Sequence, residues 1–181
     1  MPHDPSHQWF ALNAKLRYED FVAKQLRSKG YEVLLPVYTS RRRWSDRVKQ
    51  LELPLFPGYL FCRFDVMDRM PILTTPGMLQ IVGFGRTPIP VDEAEIAAIQ
   101  TALASNLDRE PWPYSQIGQK VRVECGPMRG IEGTLVTIKG GHRLVLAVTI
   151  LQRSVAVEVS SAWVTPTQGM NGSRTGQSSA A

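Results

Sequence analysis

Side chains able to do covalent or metal chemistry are sparse in this chain and lie far apart. Its 181 residues hold two cysteines, Cys62 and Cys125, and three histidines. His3 and His7 fall in a polar N-terminal stretch, the ordinary setting of a solvated tail. His142 follows a glycine pair and has no cysteine or paired acid beside it. No run of His, Cys, Asp or Glu has metal-ligand spacing. Gly83-Phe84-Gly85 lacks the third glycine and the strand-to-helix setting of a dinucleotide loop, and no nucleophile sits in an elbow motif. Cys62 lies inside an apolar run and Cys125 ends another, so both read as small buried hydrophobes, with no disulfide framework. These residues predict no enzyme, no metal and no cofactor.

Binding chemistry is better represented. Arg41-Arg42-Arg43-Trp44-Ser45-Asp46-Arg47-Val48-Lys49 places five cations and a tryptophan against one acid. An aromatic among arginines suits a phosphate backbone with unstacked bases; a solvated loop is the equal alternative. The net charge of +5 and the pI near 9.5 fit a polyanionic partner. The second marked stretch is Leu53-Pro54-Leu55-Phe56-Pro57-Gly58-Tyr59-Leu60-Phe61. Pro57-Gly58 is a turn pair, and Tyr59 to Phe64 reads as a strand. Phe56 is either a core ring or an aromatic that the stiff segment presents to a partner.

These stretches need elements to position them. A hydrophobic share of 43% supports a packed core. No apolar run is long enough to span a membrane and the N-terminus has no signal-peptide core, so a cytoplasmic protein is expected. Trp9 to Leu12 reads as a strand. Tyr18 to Lys29 reads as a helix with Phe21, Val22, Gln25 and Leu26 at helical spacing, ended by Gly30. Tyr31 to Tyr38 is a strand interrupted by Pro36, and the basic stretch after it is a hairpin tip or mobile loop. Asp65 to Met70 suggests a helical turn closed by Pro71. Leu79 to Phe84 is a strand, and Asp92 caps a helix running through Ile96, Ile99 and Leu103. Residues 9–105 thus form an α+β unit behind a disordered tail, 1–8.

Residues 106–116, with Pro111, Trp112 and Pro113, read as a linker. From 117 to 167 the pattern changes to short alternating strands separated by glycine turns, and five of them suggest a small barrel. Residues 168–181 are Gly-, Ser- and Thr-rich and read as a disordered tail.

In this order, Trp9-Phe10-Ala11-Leu12, Pro54 to Phe61, Thr75-Pro76-Gly77 and Val82-Gly83-Phe84-Gly85 resemble the NusG family of transcription elongation factors. Gly118 to Val123, Gly126-Pro127, Gly130 to Gly133 and Ser154 to Val159 resemble that family's KOW domain. The resemblance covers residues 9–166. It implies an α+β fold: an N-terminal antiparallel sheet with flanking helices (NGN-like), a linker, and a five-stranded SH3-like barrel. It implies a monomeric transcription elongation or antitermination factor that docks on the clamp helices of RNA polymerase. Phe56, Pro57, Tyr59, Asn13, Ile81 and Phe84 match the polymerase-contacting positions. Lys15 and Arg17 match the basic loop that faces the non-template DNA strand, to which Arg41, Arg42, Arg43, Trp44 and Arg47 would add.

After Gly126-Pro127 the family usually carries phenylalanines that meet the termination factor Rho or a small-subunit ribosomal protein. Met128, Arg129 and Ile131 stand there instead, which resembles specialised paralogues of the UpxY and LoaP type. A ribosome-associated KOW protein that binds structured RNA is the alternative. Val121-Arg122-Val123 and Val155 to Val159 alternate with period two and are rich in β-branched residues. The second half is therefore expected to stay a barrel, and the polymerase-binding face is expected to be open.

Overall fold

Strand β1 (His7–Ala14) divides two apolar clusters. Successive side chains of a strand point to opposite faces. Trp9 and Ala11 therefore join one cluster, while Phe10, Leu12 and Ala14 join the other. The computed structural model describes residues 6–44, 47–112, 118–138 and 141–167, with backbone alone at 41–44 and 47–49. The N-terminal stretch with His3, the hairpin tip, most of the linker's second half and the C-terminal tail lie outside the described residues.

After β1 come α1 (Glu19–Ser28), β2 (Glu32–Leu34), β3 (Val37–Trp44), β4 (Arg47–Pro54) and β5 (Tyr59–Asp65). A 3-10 turn leads to α2 (Met70–Leu73), β6 (Met78–Ile81), β7 (Gly83–Phe84), β8 (Thr87–Pro88) and α3 (Glu93–Ala104). The main sheet has the order β2-β5-β1-β6 and every pair in it is antiparallel. Helix α1 covers one face, burying Val22, Ala23 and Leu26 with Leu60, Cys62 and Phe64. Each large side chain in that layer contributes about 1.5–3 kcal/mol by leaving water. Phe21 stands outside this stripe and is exposed, because Val22 and Leu26 occupy the centre of the buried face. On the other face lies α3, started by Asp92, whose Oδ1 accepts the Ala94 N–H at 2.7 Å. It buries Ile96, Ala98, Ile99 and Ala102.

The second half contains β9 (Arg109–Trp112), β10 (Gln119–Val123), β11 (Glu132–Ile138), β12 (Gly141–Val148), β13 (Arg153–Val159) and β14 (Val164–Pro166). Its sheet has the order β14-β10-β11-β12-β13-β9. The five expected barrel strands are present, and a sixth comes from the linker. Pro111 sits opposite Val155 on the edge strand β9, the place where a proline costs no ladder bond within the sheet. Arg109 ties this strand back, donating to the carbonyls of Val37 at 3.3 Å and of Ala102 and Ser105 at 3.3 and 3.2 Å.

Other local readings also change. Of the two expectations for the basic stretch, hairpin or mobile loop, the hairpin is the one found: it forms two paired strands, β3 and β4. Pro71 stands in the first turn of α2 and helps to open it, since the missing N–H is not needed there. Cys125 lies past the end of β10 and is exposed, so only Cys62 is a buried thiol.

Candidate functional site

The turn from Leu55 to Tyr59 joins β4 to β5 and is fixed by backbone bonds. Leu55 N–H donates to the Pro36 carbonyl at 2.8 Å, and Tyr59 N–H to the Phe56 carbonyl at 2.9 Å. Gly58 has φ +84, which a side chain would strain. Its N–H donates to Glu19 Oε1 at 2.8 Å in a buried bond, and its carbonyl accepts from Ala14 N–H at 2.9 Å. Sequence pattern assigns Glu19 only to the first turn of α1; its carboxylate actually spans 39 residues to hold this turn. Nothing local signals such a partner.

Within that frame Phe56 is 0% exposed and its ring stands edge-on to Phe61, 5.6 Å between centroids. The ring points inward and is not presented at the surface. Pro57 beside it is exposed. Tyr59 is half-buried and faces Asn13 across the β1–β5 ladder, so the two share a sheet face. Ile81 pairs with Leu12 and packs into the α1-side cluster, on the opposite face. Val82 packs on the Phe56 side instead, the consequence of the two-residue strand period. Phe84 is 84% exposed on the β7–β8 hairpin. The structure therefore groups Phe56, Tyr59 and Asn13 and separates Ile81 and Phe84 from them.

This face is not open. Phe56, Phe61, Ile96 and Ile99 form one continuous apolar cluster with Leu146, Val148, Val155 and Val157 of the barrel. Two polar contacts close the junction. The Glu95 carboxylate of α3 accepts Thr149 Oγ1 at 2.6 Å and Thr149 N–H at 3.1 Å. The Arg153 guanidinium lies over the Tyr59 ring, 5.3 Å from its centroid. A cavity of about 350 Å³ remains between α3 and β12, lined by Ala94, Ala97, Ala98, Ile131 and Leu146. The expectation of an uncovered face is thus corrected: the barrel stays a barrel and covers the face in that form. In its first loop Met128 is fully buried, Ile131 half-buried and Arg129 exposed.

Lys15 and Arg17 are exposed in the turn after β1. In the hairpin the register sets Arg43 opposite Val48, Arg42 opposite Lys49 and Trp44 opposite Arg47. A larger cavity, about 590 Å³, lies beside the hairpin, lined by Tyr38, Gln50, Asp108, Arg109, Glu110 and Arg143. Its cations are occupied: Arg143 pairs with Glu110 at 3.6 Å and with Glu158, and Arg109 donates to the carbonyls of Val37, Ala102 and Ser105. It is consequently a poor phosphate site.

Among the described residues no group of three His, Cys, Asp or Glu could hold a metal, and no helix is long and apolar enough to cross a membrane. Burial, with Glu32 adding, pushes the Cys62 thiol up to about 12, so it stays a neutral core group.

Comparison with known proteins decides what kind of molecule this is. The family model described as "Transcription termination factor nusG" matches residues 7–100, a little over half of the chain. The chain belongs to the NusG family. It is 27% identical over 176 residues to the transcription termination/antitermination protein NusG of Thermus thermophilus, covering 85% of this chain and 95% of that one. The Helicobacter pylori J99 protein of the same name is 25% identical over 167 residues, with coverage of 83% and 93%. The solved structure of Thermotoga maritima NusG matches with a TM-score of 0.54 at 23% identity, covering 90% of this chain and 98% of that one, a likeness of fold.

Proposed function

We propose that this NusG-family chain is an elongation or antitermination factor that docks on the clamp helices of RNA polymerase through the Phe56–Tyr59–Asn13 face. Proteins of this family are non-enzymatic transcription factors that work with RNA polymerase. The supporting observation is the face itself: an apolar surface on a rigid sheet, with its central turn fixed by Glu19, closed only by another unit of the same chain. Such a surface is complete before a partner arrives, so docking orders little new structure.

Lys15, Arg17 and the β3–β4 hairpin would hold the exposed non-template DNA strand, mainly by charge. Bridging polymerase and DNA favours the elongating state by binding it better than the alternatives. The barrel serves two roles in this reading. It covers the docking face when the chain is free and is released to a further partner when the face is engaged. Met128 is buried and unable to join a contact surface, so Arg129 and the loop around it would meet that partner.

Affinity purification of the tagged full chain tests the reading. Polymerase subunits should co-purify, and competition with isolated clamp helices should remove them. Recovery of ribosomal particles instead would replace it with the structured-RNA alternative.

A further inference from the structure

Strands β12 and β13 are buried on both sides. One side carries Leu144, Leu146, Val148, Val155 and Val157, which share an apolar cluster with Val121, Val123 and Met128 of the barrel. The other side carries Val145, Ser154 and Ala156, each 3% exposed or less. An antiparallel sheet commonly keeps its second side wet, so a cover from outside the barrel is at work here. The neighbours on that side identify it. Arg143 and Ala147 share the side with Val145 by the two-residue strand period. Arg143 lines the larger cavity with Tyr38 and Gln50, and Ala147 lines the smaller one with Ala94, Ala97 and Ala98 of α3. The cover is therefore the first half of the chain. Ser154 stands opposite Ala147 on β12 and opposite Trp112 on β9, and directly paired residues share a side.

The Ser154 hydroxyl is out of place there. Its Oγ is enclosed and, among the described residues, has no hydrogen-bond partner. By contrast, buried Ser105 Oγ donates to the Ala102 carbonyl at 2.7 Å, and buried Thr75 Oγ1 to the Pro71 carbonyl at 3.0 Å. A hydroxyl stripped of water and left without a partner is destabilising, and native chains keep few of them. In this chain the cost falls on one state. With the barrel against the first half, the hydroxyl is dry. With the barrel away, that side of β13 is open and water solvates the hydroxyl.

We propose that Ser154 is a release group: an unpaired hydroxyl on the junction side of β13 that weakens the closed form and keeps the barrel detachable. Its consequence for polymerase rests on the docking face proposed above; its effect on closure does not.

The test counts open molecules in the full chain by single-molecule energy transfer. One dye goes on exposed Cys125 and one on Gln100→Cys, at an exposed position of α3, while buried Cys62 stays unlabelled. Ser154→Ala should lower the open fraction roughly fivefold or more. The same drop should appear in a Glu95→Ala, Arg153→Ala background, where two junction contacts are missing and open molecules are more numerous. Polymerase affinity of Ser154→Ala should fall by the same factor. An unchanged or raised open fraction overturns the inference, because the hydroxyl would then be enclosed equally in both forms or bonded in the closed one. A lowered open fraction with parent-like polymerase affinity upholds the role of Ser154 and sinks the proposed docking face instead.

Discussion

The closed junction makes a quantitative claim about affinity. If the barrel covers the face that polymerase uses, loosening the junction must strengthen polymerase binding. The perturbation is Glu95→Ala combined with Arg153→Ala. Glu95 makes a charge-assisted pair of bonds to Thr149 in a solvent-accessible place, worth about 1 kcal/mol there. Arg153 over the half-buried Tyr59 ring adds on the order of 0.5–1 kcal/mol. Together they favour closure by about 2 kcal/mol, or roughly 30-fold in the ratio of closed to open forms. Apparent affinity falls by the fraction of molecules that are open. The double variant should therefore bind polymerase core more tightly, by up to that factor while the closed form still dominates. A titration against labelled polymerase measures it, and small-angle X-ray scattering reports opening independently as a loss of compactness. Opening with unchanged polymerase affinity would refute the reasoning, because the covered face would then not be the one that polymerase uses.

Other outcomes follow from single groups. Glu19→Ala should cost about 1–3 kcal/mol by leaving the buried Gly58 N–H without an acceptor, while Glu19→Gln retains an amide oxygen and most of the stability, as chemical denaturation will show. Phe56→Ala should cost about 3–5 kcal/mol because the ring is core, so Phe56→Leu is the variant in which polymerase affinity can be compared at near-native stability. The raised pKa of Cys62 means that its stabilising effect is complete below the unfolded-thiol value of 9.0 and is lost as pH rises from there toward about 12; Cys62→Ala should show a flatter decline in stability over that window. Replacing Arg41, Arg42, Arg43 and Arg47 with serine should reduce the salt dependence of single-strand binding, and an unchanged slope would return the hairpin to a solvated role.

What local sequence determined here is what depends on neighbours in the chain. Strand period set the two faces of β1, and Asp92 marked the start of α3 because a cap bonds only two residues ahead. Glycine turns and β-branched alternation marked the barrel strands, and the ordered motifs around Pro54 to Phe61 marked the family. Tertiary structure decided everything that needs a distant partner. Whether Phe56 pointed inward was undecidable from its prolines, since these fix backbone angles but not what lies opposite. Ile81 and Val82 differ by one position, so the face each takes followed from the register with β1. Glu19 found Gly58 across 39 residues, Glu95 found Thr149 across 54, and Arg109 reached back 72 to Val37. Such contacts leave no periodic trace in sequence, because the chain between their partners is free to vary. Closure of the Phe56–Tyr59–Asn13 face is of this kind: each half carries its own pattern, and only their packing shows that one covers the other.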